Sequence, residues 1–282
     1  MPGQIYRRNT AKYLLIKELQ VESLVTKQGF NSNINDGLYK KEQETIITWI
    51  FALRLLYPGN IQVNQSYSVS KNFYASYCLS IGTMIDNLNN VWNFSQDEFC
   101  SLDNYSLGKV SPEKLSIMVT KCSQNYSSMK IPLNYWNSYY QERDLANKII
   151  KLATVWEATL LNDKRNELQY TLKIRGSYVL QKDSRKIFEL AYTVRSKLLH
   201  TGFVDQKTIN RINEYLGKYY KYTWTTLFYF MKNVLEPLTR DILTYFLNSI
   251  AQTHLNLEQT ARGIDELICD FPCKHQSNYS ND

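Results

Sequence analysis

The sequence predicts a mainly α-helical protein whose second half is an up-and-down bundle of about five helices. Three observations predict it. Only 10 Gly and 6 Pro interrupt 282 residues, so few breaks are forced on the chain. From Glu142 onward, apolar residues recur three and four positions apart, the signature of helices with one buried face. A hydrophobic content of 44% against 21% charged residues belongs to a globular chain with a core of normal size.

Taken in order, Glu42 to Leu56, EQETIITWIFALRLL, has apolar side chains at Ile46, Ile47, Ile50 and Leu53 and on either side of them. That predicts a well-buried helix, stopped by the turn residues of YPGN at Tyr57 to Asn60. Ile61 to Gly82 is rich in Tyr, Val and Ser and alternates apolar with polar in places. It fits a hairpin as well as part of a helix, so the mostly helical N-terminal region has room for a small β element. Asn93 to Pro132 carries turn signals and one short helix after Ser111-Pro112, where Ser111 is a natural N-cap. The expected boundary between halves lies near Leu133 to Tyr139, giving an N-terminal region over 1–137 and a bundle over 138–282.

In the bundle, ERDLANKIIKLATVWEATLL places Leu145, Ile149, Leu152, Trp156 and Leu160 on one stripe. KRNELQYTLKIRGSYVLQ is a second helix ending near Gln181. Asp183 and Ser184 offer N-caps for a third, from Arg185 to about His200, with the stripe Ile187, Ala191, Val194 and Leu198. Thr201-Gly202 stops it. Two further segments, about Gln206 to Tyr220 and Trp224 to Ala251, complete the set.

The formal charge of +7 is uneven. Ser138 to Arg240 holds 18 Lys/Arg against 10 Asp/Glu, and the remainder of the chain is close to neutral. A basic half suits an anionic partner, nucleic acid first; the plainer reading is a solvated, Lys-rich helical surface. The first twenty residues have no long apolar h-region, and no run of 18 uncharged apolar residues follows, so neither export nor membrane insertion is expected. Five scattered Cys, an odd number, fit a reducing cytoplasm.

The chemistry-bearing stretch is AYTVRSKLLHTG, Ala191 to Gly202. At 100° per residue, Arg195 lies about 60° from the centre of the apolar stripe, where its stem can pack while the guanidinium reaches out. His200 lies about 160° from that centre and shares a face with Ser196. The two are thus not natural neighbours on one ideal helix. Either the helix unwinds before Gly202 and swings His200 round, or a second copy packs there and each cleft takes Arg195 from one chain and His200 from the other. Arg is permanently charged and grips phosphate with parallel hydrogen bonds, and His exchanges protons near neutrality. Such a pair suits RNA cleavage without metal: the 2′-hydroxyl attacks phosphorus, Arg stabilises the equatorial oxygens and His moves protons. The plain alternative is a chance R-x4-H with a histidine that simply precedes a capping glycine.

Trp156 to Gly202 resembles the HEPN superfamily, and within it the Apea-like HEPN domain. VWEATLLND is similar to that family's helix with Glu before a Leu pair. LKIRGSYVLQKDSRKIFELAYTVRSKLLHTG is similar to its Arg-bearing helix, the link that follows and the closing Y-x-x-R-S-K-x-x-H-x-G. FALRLLYPG resembles a segment of longer members. The resemblance covers about 50 residues and implies a helical domain that dimerises and acts as a metal-independent ribonuclease in toxin–antitoxin systems or antiphage defence. It implies RNA as substrate, a second copy as partner, an antitoxin or defence-complex protein as a further partner, and no cofactor. Arg195 and His200 match the R-x4-H motif, Ser196 the polar position after the Arg, and Glu157 the acidic position that orients Arg195. Arg175 and Tyr192 match supporting positions. Ser196 departs from the Asn, Asp or His more usual there, and Thr201 separates His200 from Gly202.

For contact with RNA the expected residues are Arg175, Lys197, Lys218 and Lys221. The last two sit in YLGKYYKYTW, Tyr215 to Trp224, whose rings offer stacking faces for bases but, on the plainer reading, are bundle core or an aromatic dimer surface. CDFPCKH, Cys269 to His275, holds three zinc-ligand types at irregular spacing, one short of a closed site, so no metal is expected. No Gly-rich phosphate loop, G-x-S-x-G or H-E-x-x-H is present. The rival to an enzyme is a non-catalytic HEPN module binding RNA or protein, and beyond that a helical scaffold.

Overall fold

The computed structural model describes residues 45, 47–57, the backbone of 66–69 and 76–79, and residues 111–142, 144–162, 164 and 167–270. All belong to the unit that begins at Gln43. In chain order they form α1 (residues 47–56), the paired strands β1 (Ser66–Val69) and β2 (Ser76–Leu79), then α2 (Pro112–Gln141), α3 (Leu145–Leu160), α4 (Leu168–Val179), α5 (Arg185–Thr201), α6 (Gln206–Leu216), α7 (Thr223–Phe230), α8 (Glu236–Thr253) and α9 (Leu257–Asp270). A short π-helical stretch, Met231–Leu235, joins α7 to α8 without a break. The protein is mainly α. The two strands are antiparallel, with Ser66 opposite Leu79 and Val69 opposite Ser76, so the described parts of the Tyr/Val/Ser segment are paired as β-strands.

The expected boundary at 137/138 falls inside α2. Ser111 caps this helix as predicted, its hydroxyl accepting from the Lys114 N–H, with Pro112 in the first turn. It then runs 30 residues, through Pro132, rather than ending as a short helix. An interior Pro costs a helix about 3 kcal/mol or more. What outweighs it is the burial that follows: Leu133, Trp136, Tyr139 and Tyr140 are all sealed, their three rings within 4.9–5.6 Å of one another.

α1 joins α2 through Phe51 on Tyr126 and through Arg54, which is fully buried. Arg54 donates to Asn137 Oδ1 at 2.6 Å and lies 4.0 Å above the Tyr140 ring. Tyr140 in turn donates to Glu236 Oε1 at 3.0 Å, and Arg240 clasps the same carboxylate from one turn along α8. Burial lowers the Arg54 guanidinium to about 10.

α3 is the axis of the bundle and packs against α2, α4, α5, α7, α8 and α9. Its predicted stripe is buried at Ile149, Leu152, Trp156 and Leu160; Leu145 at the entry is only partly so. Trp156 donates its indole N–H to Thr239 on α8 at 2.7 Å, and its ring meets Phe188 of α5 edge-on at 5.0 Å. α4 reaches α5 at Gly176, where the Phe188 ring occupies the space a Cβ would need, with ring carbons 2.1–2.9 Å from the position it would take. α5 and α6 are antiparallel neighbours: Arg211 pairs with Glu189 at 2.6 Å and Glu214 faces Lys186 at 3.8 Å.

Gly176→Ala should therefore force Phe188 and Trp156 apart. Urea unfolding is expected to register a loss of about 1–3 kcal/mol or more, against a gain of about 0.5–1 kcal/mol for Gly263→Ala inside α9, where a Cβ meets nothing within 4 Å and Ala is the better helix former.

Candidate functional site

α5 carries the R-x4-H motif, and its ends are defined by the local sequence. Ser184 is the N-cap position, though its hydroxyl makes no capping bond; Asp183 instead accepts from the Arg185 N–H and guanidinium. At the other end the helix stays regular through Thr201, and Gly202 turns the chain in the left-handed conformation, φ 74°, which costs a glycine nothing. The helix does not unwind before Gly202, so the first of the two expected ways of bringing His200 to Arg195 is overturned.

Arg195 projects from the flank of α5 with a quarter of its side chain exposed. Its Nη2 donates to Glu157 Oε2 on α3 at 2.7 Å. Its Nε is buried and meets no hydrogen-bond acceptor among the described residues. Burial pushes the Glu157 carboxyl above the ordinary glutamate range, and the opposing charge of Arg195 only partly restores it. Glu157 thus does touch Arg195, as the sequence suggested.

His200 stands exposed in the last turn of α5, flanked by exposed Leu199 and Phe203, which sequence inspection did not single out. Over five residues an ideal helix advances about 7.5 Å and turns about 140°. No hydrogen bond links His200 to Arg195, and the hydroxyl of Ser196, half-buried on the His200 face, bonds to no other described side chain. One chain therefore offers a tethered guanidinium and, round the helix from it, a solvent-facing imidazole. Tyr192 is half-buried against the core.

Two of the expected RNA contacts have other employment. Arg175 is completely buried. Its Nε and Nη2 make a two-pronged bond to Asp265 of α9, at 2.8 and 2.7 Å, and Nη1 donates to the Leu160 carbonyl at 2.6 Å. It ties the end of α3 and the last helix to α4, and no phosphate reaches it. The missed partner, Asp265, lies 90 residues away, and nothing in the local pattern announces it. Lys197 binds Asp205, which also caps α6 by accepting from the Thr208 N–H at 2.8 Å. That lysine braces the turn after His200. Lys218 and Lys221 are exposed, beyond the far end of α6.

Among the described residues no group of His, Cys, Asp and Glu is placed to hold a metal ion; Cys273 and His275 lie outside those residues. No described helix is long and apolar enough to cross a membrane. A shallow depression of about 320 Å³, lined by Ser177, Tyr178, Lys182, Asp183 and Arg185 among others, opens at the start of α5 rather than at His200. No protein-family model matches this chain, and no curated protein or solved structure matches it either.

Arg175→Leu should cost about 2–4 kcal/mol in urea unfolding, because it leaves the Leu160 carbonyl without its donor and Asp265 without its cation. Lys218→Gln, on the surface, should stay within about 0.5 kcal/mol of wild type.

Proposed function

We propose that this protein is a metal-independent endoribonuclease of the HEPN type, working as a pair of chains in a toxin or antiphage-defence role. The observation that carries the reading is the Arg195–Glu157 pair. A guanidinium is held at the surface of α5 by a carboxylate from the bundle's axial helix, and an exposed imidazole follows five residues later on the same helix. Exposed Leu199 and Phe203 beside His200 suit burial by a second copy.

In that arrangement the 2′-oxygen of a ribose attacks the neighbouring phosphorus and the bond to the 5′-oxygen breaks. The products are a 2′,3′-cyclic phosphate and a 5′-hydroxyl. The proton of the 2′-hydroxyl is taken up and one is delivered to the leaving oxygen, His200 serving the transfer. Arg195 neutralises charge on the equatorial oxygens, and Glu157 orients Arg195. Ser196 lies on the His200 face and assists by hydrogen bonding.

A second reading, a non-catalytic HEPN module that binds RNA or a protein partner, is favoured by one observation: Arg195 and His200 do not meet within a single chain. Mixing variants separates the two. Arg195→Ala and His200→Ala should each cut RNA in EDTA at least about 100-fold more slowly than wild type. Mixed and allowed to exchange subunits, they should regain part of the activity, since one of the two clefts in the mixed pair would be intact. RNA bound but uncut by the wild-type protein would favour the module. Cleavage that survives His200→Ala would remove the proposed mechanism.

A further inference from the structure

The turn between α6 and α7 interleaves exposed aromatic rings with lysines. From Tyr215 to Leu235 the chain holds three lysines and no acidic residue. Tyr219 is 73% exposed, Tyr222 52% and Trp224 42%, so these rings are neither bundle core nor shielded by it. The Tyr222 and Trp224 rings are nearly parallel, 13° apart with centroids at 6.3 Å. Lys218 Nζ stands 5.3 Å over the Tyr220 ring and Lys221 Nζ 5.2 Å over the Tyr222 ring. Neither lysine has a carboxylate partner among the described residues, and the nearest acid before them, Glu214, faces Lys186.

The turn is held in shape from below. Gly217 reverses the chain at φ 63°, and the Lys218 N–H closes the end of α6 on the Asn213 carbonyl at 3.1 Å. The buried Asn213 side chain accepts from the Thr226 hydroxyl at 2.9 Å, fixing α6 to α7. Tyr220 stacks on Tyr229 at 4.6 Å and 10°, which anchors the middle of the turn. A turn whose backbone is fixed in this way loses little further main-chain freedom on taking up a ligand.

We infer that this turn is a stacking platform for single-stranded RNA, with Tyr219, Tyr222 and Trp224 taking bases and Lys218 and Lys221 taking phosphates. A nucleotide supplies both complements, a flat π-face and an anion, side by side, and stacking on rings accepts any base. A protein partner would match the apolar faces but gives no reason for unpaired lysines interleaved between them. The inference rests on the ribonuclease reading for its choice of RNA, and it deepens that reading. α6 runs antiparallel to α5 and spans about 16 Å, so the platform lies about one helix length from His200. It would hold RNA several nucleotides from the bond that is cut.

The test uses the His200→Ala chain, so that the probe survives, and a fluorescein-labelled 12-mer of uridine read by anisotropy. Tyr219→Ala/Tyr222→Ala should raise Kd about tenfold or more, since stacking of each base contributes measurably to affinity. Lys218→Gln/Lys221→Gln should weaken binding and flatten its dependence on salt. Bound RNA should quench tryptophan fluorescence, and Trp224→Phe should remove that change. Unaltered affinity in both double variants, with unchanged circular dichroism, overturns the platform. So does a variant effect on self-association in sedimentation with RNA affinity unmoved, the result a protein-docking surface would give. The nuclease reading is judged separately, by cleavage with His200 intact: platform variants that bind poorly while the parent never cuts would leave the platform standing and that reading fallen, and the reverse pattern would do the opposite.

Discussion

Everything near the candidate site hangs on one contact, the Phe188 ring wedged between Trp156 and Gly176. Trp156 belongs to α3, Phe188 to α5 and Gly176 to α4, so three helices are brought to one point. The indole N–H on Thr239 adds α8 and fixes the rotation of α3. Glu157 is the next residue along α3, and Arg195 follows Phe188 by two turns of α5, on nearly the same side of the helix. The carboxylate and the guanidinium meet because the residues beside them are jammed in the core. Had position 176 any side chain, Phe188 would have to move, and α3 and α5 with it.

The bundle was legible in the sequence to the extent that each helix buries a single stripe. α3 obeys its stripe from Ile149 to Leu160, and α5 buries Ile187, Ala191, Val194 and Leu198 as the spacing predicts. Phe188 and Leu190 are buried as well, because α5 is covered by α3, α4 and α6 and its buried arc is wider than one stripe. α2 was misjudged for a related reason. Pro132 reads locally as a stop, whereas the force that carries the helix past it is tertiary: aromatic residues from Trp136 to Tyr140 sealed against α1, α3 and α8.

The site was legible in the same uneven way. The helical wheel placed His200 away from the core and Arg195 on the flank, and both lie there. Glu157 could be matched to Arg195 only through a resemblance, and the two do touch. Arg175 was misread because a lone arginine on a helix carries no mark of burial. Its burial depends on Asp265, on a different helix far along the chain. For the aromatic turn the sequence left stacking faces, bundle core and a dimer surface open, and exposure excludes only the core for Tyr219, Tyr222 and Trp224. Rings are usually core, and what keeps Tyr219, Tyr222 and Trp224 outside is that Gly217 and the Asn213–Thr226 bond end α6 and restart the chain with only Tyr220 turned inward, onto Tyr229.

A guanidinium meant for a phosphate must be held, but not so firmly that it cannot change partners. An arginine clasped on both prongs, as Arg175 is by Asp265, would have to break two charge-assisted bonds to receive an anion. Arg195 gives Glu157 a single hydrogen bond, keeps a quarter of its side chain exposed, and has a buried Nε that meets no acceptor among the described residues. Its partner is itself ill at ease, since burial raises the Glu157 carboxyl and so weakens its claim on a cation. The two arginines are thus built for opposite ends. One is committed on every side and stabilises the fold, and the other is oriented yet exchangeable, the condition an anion-binding group at a working surface has to meet.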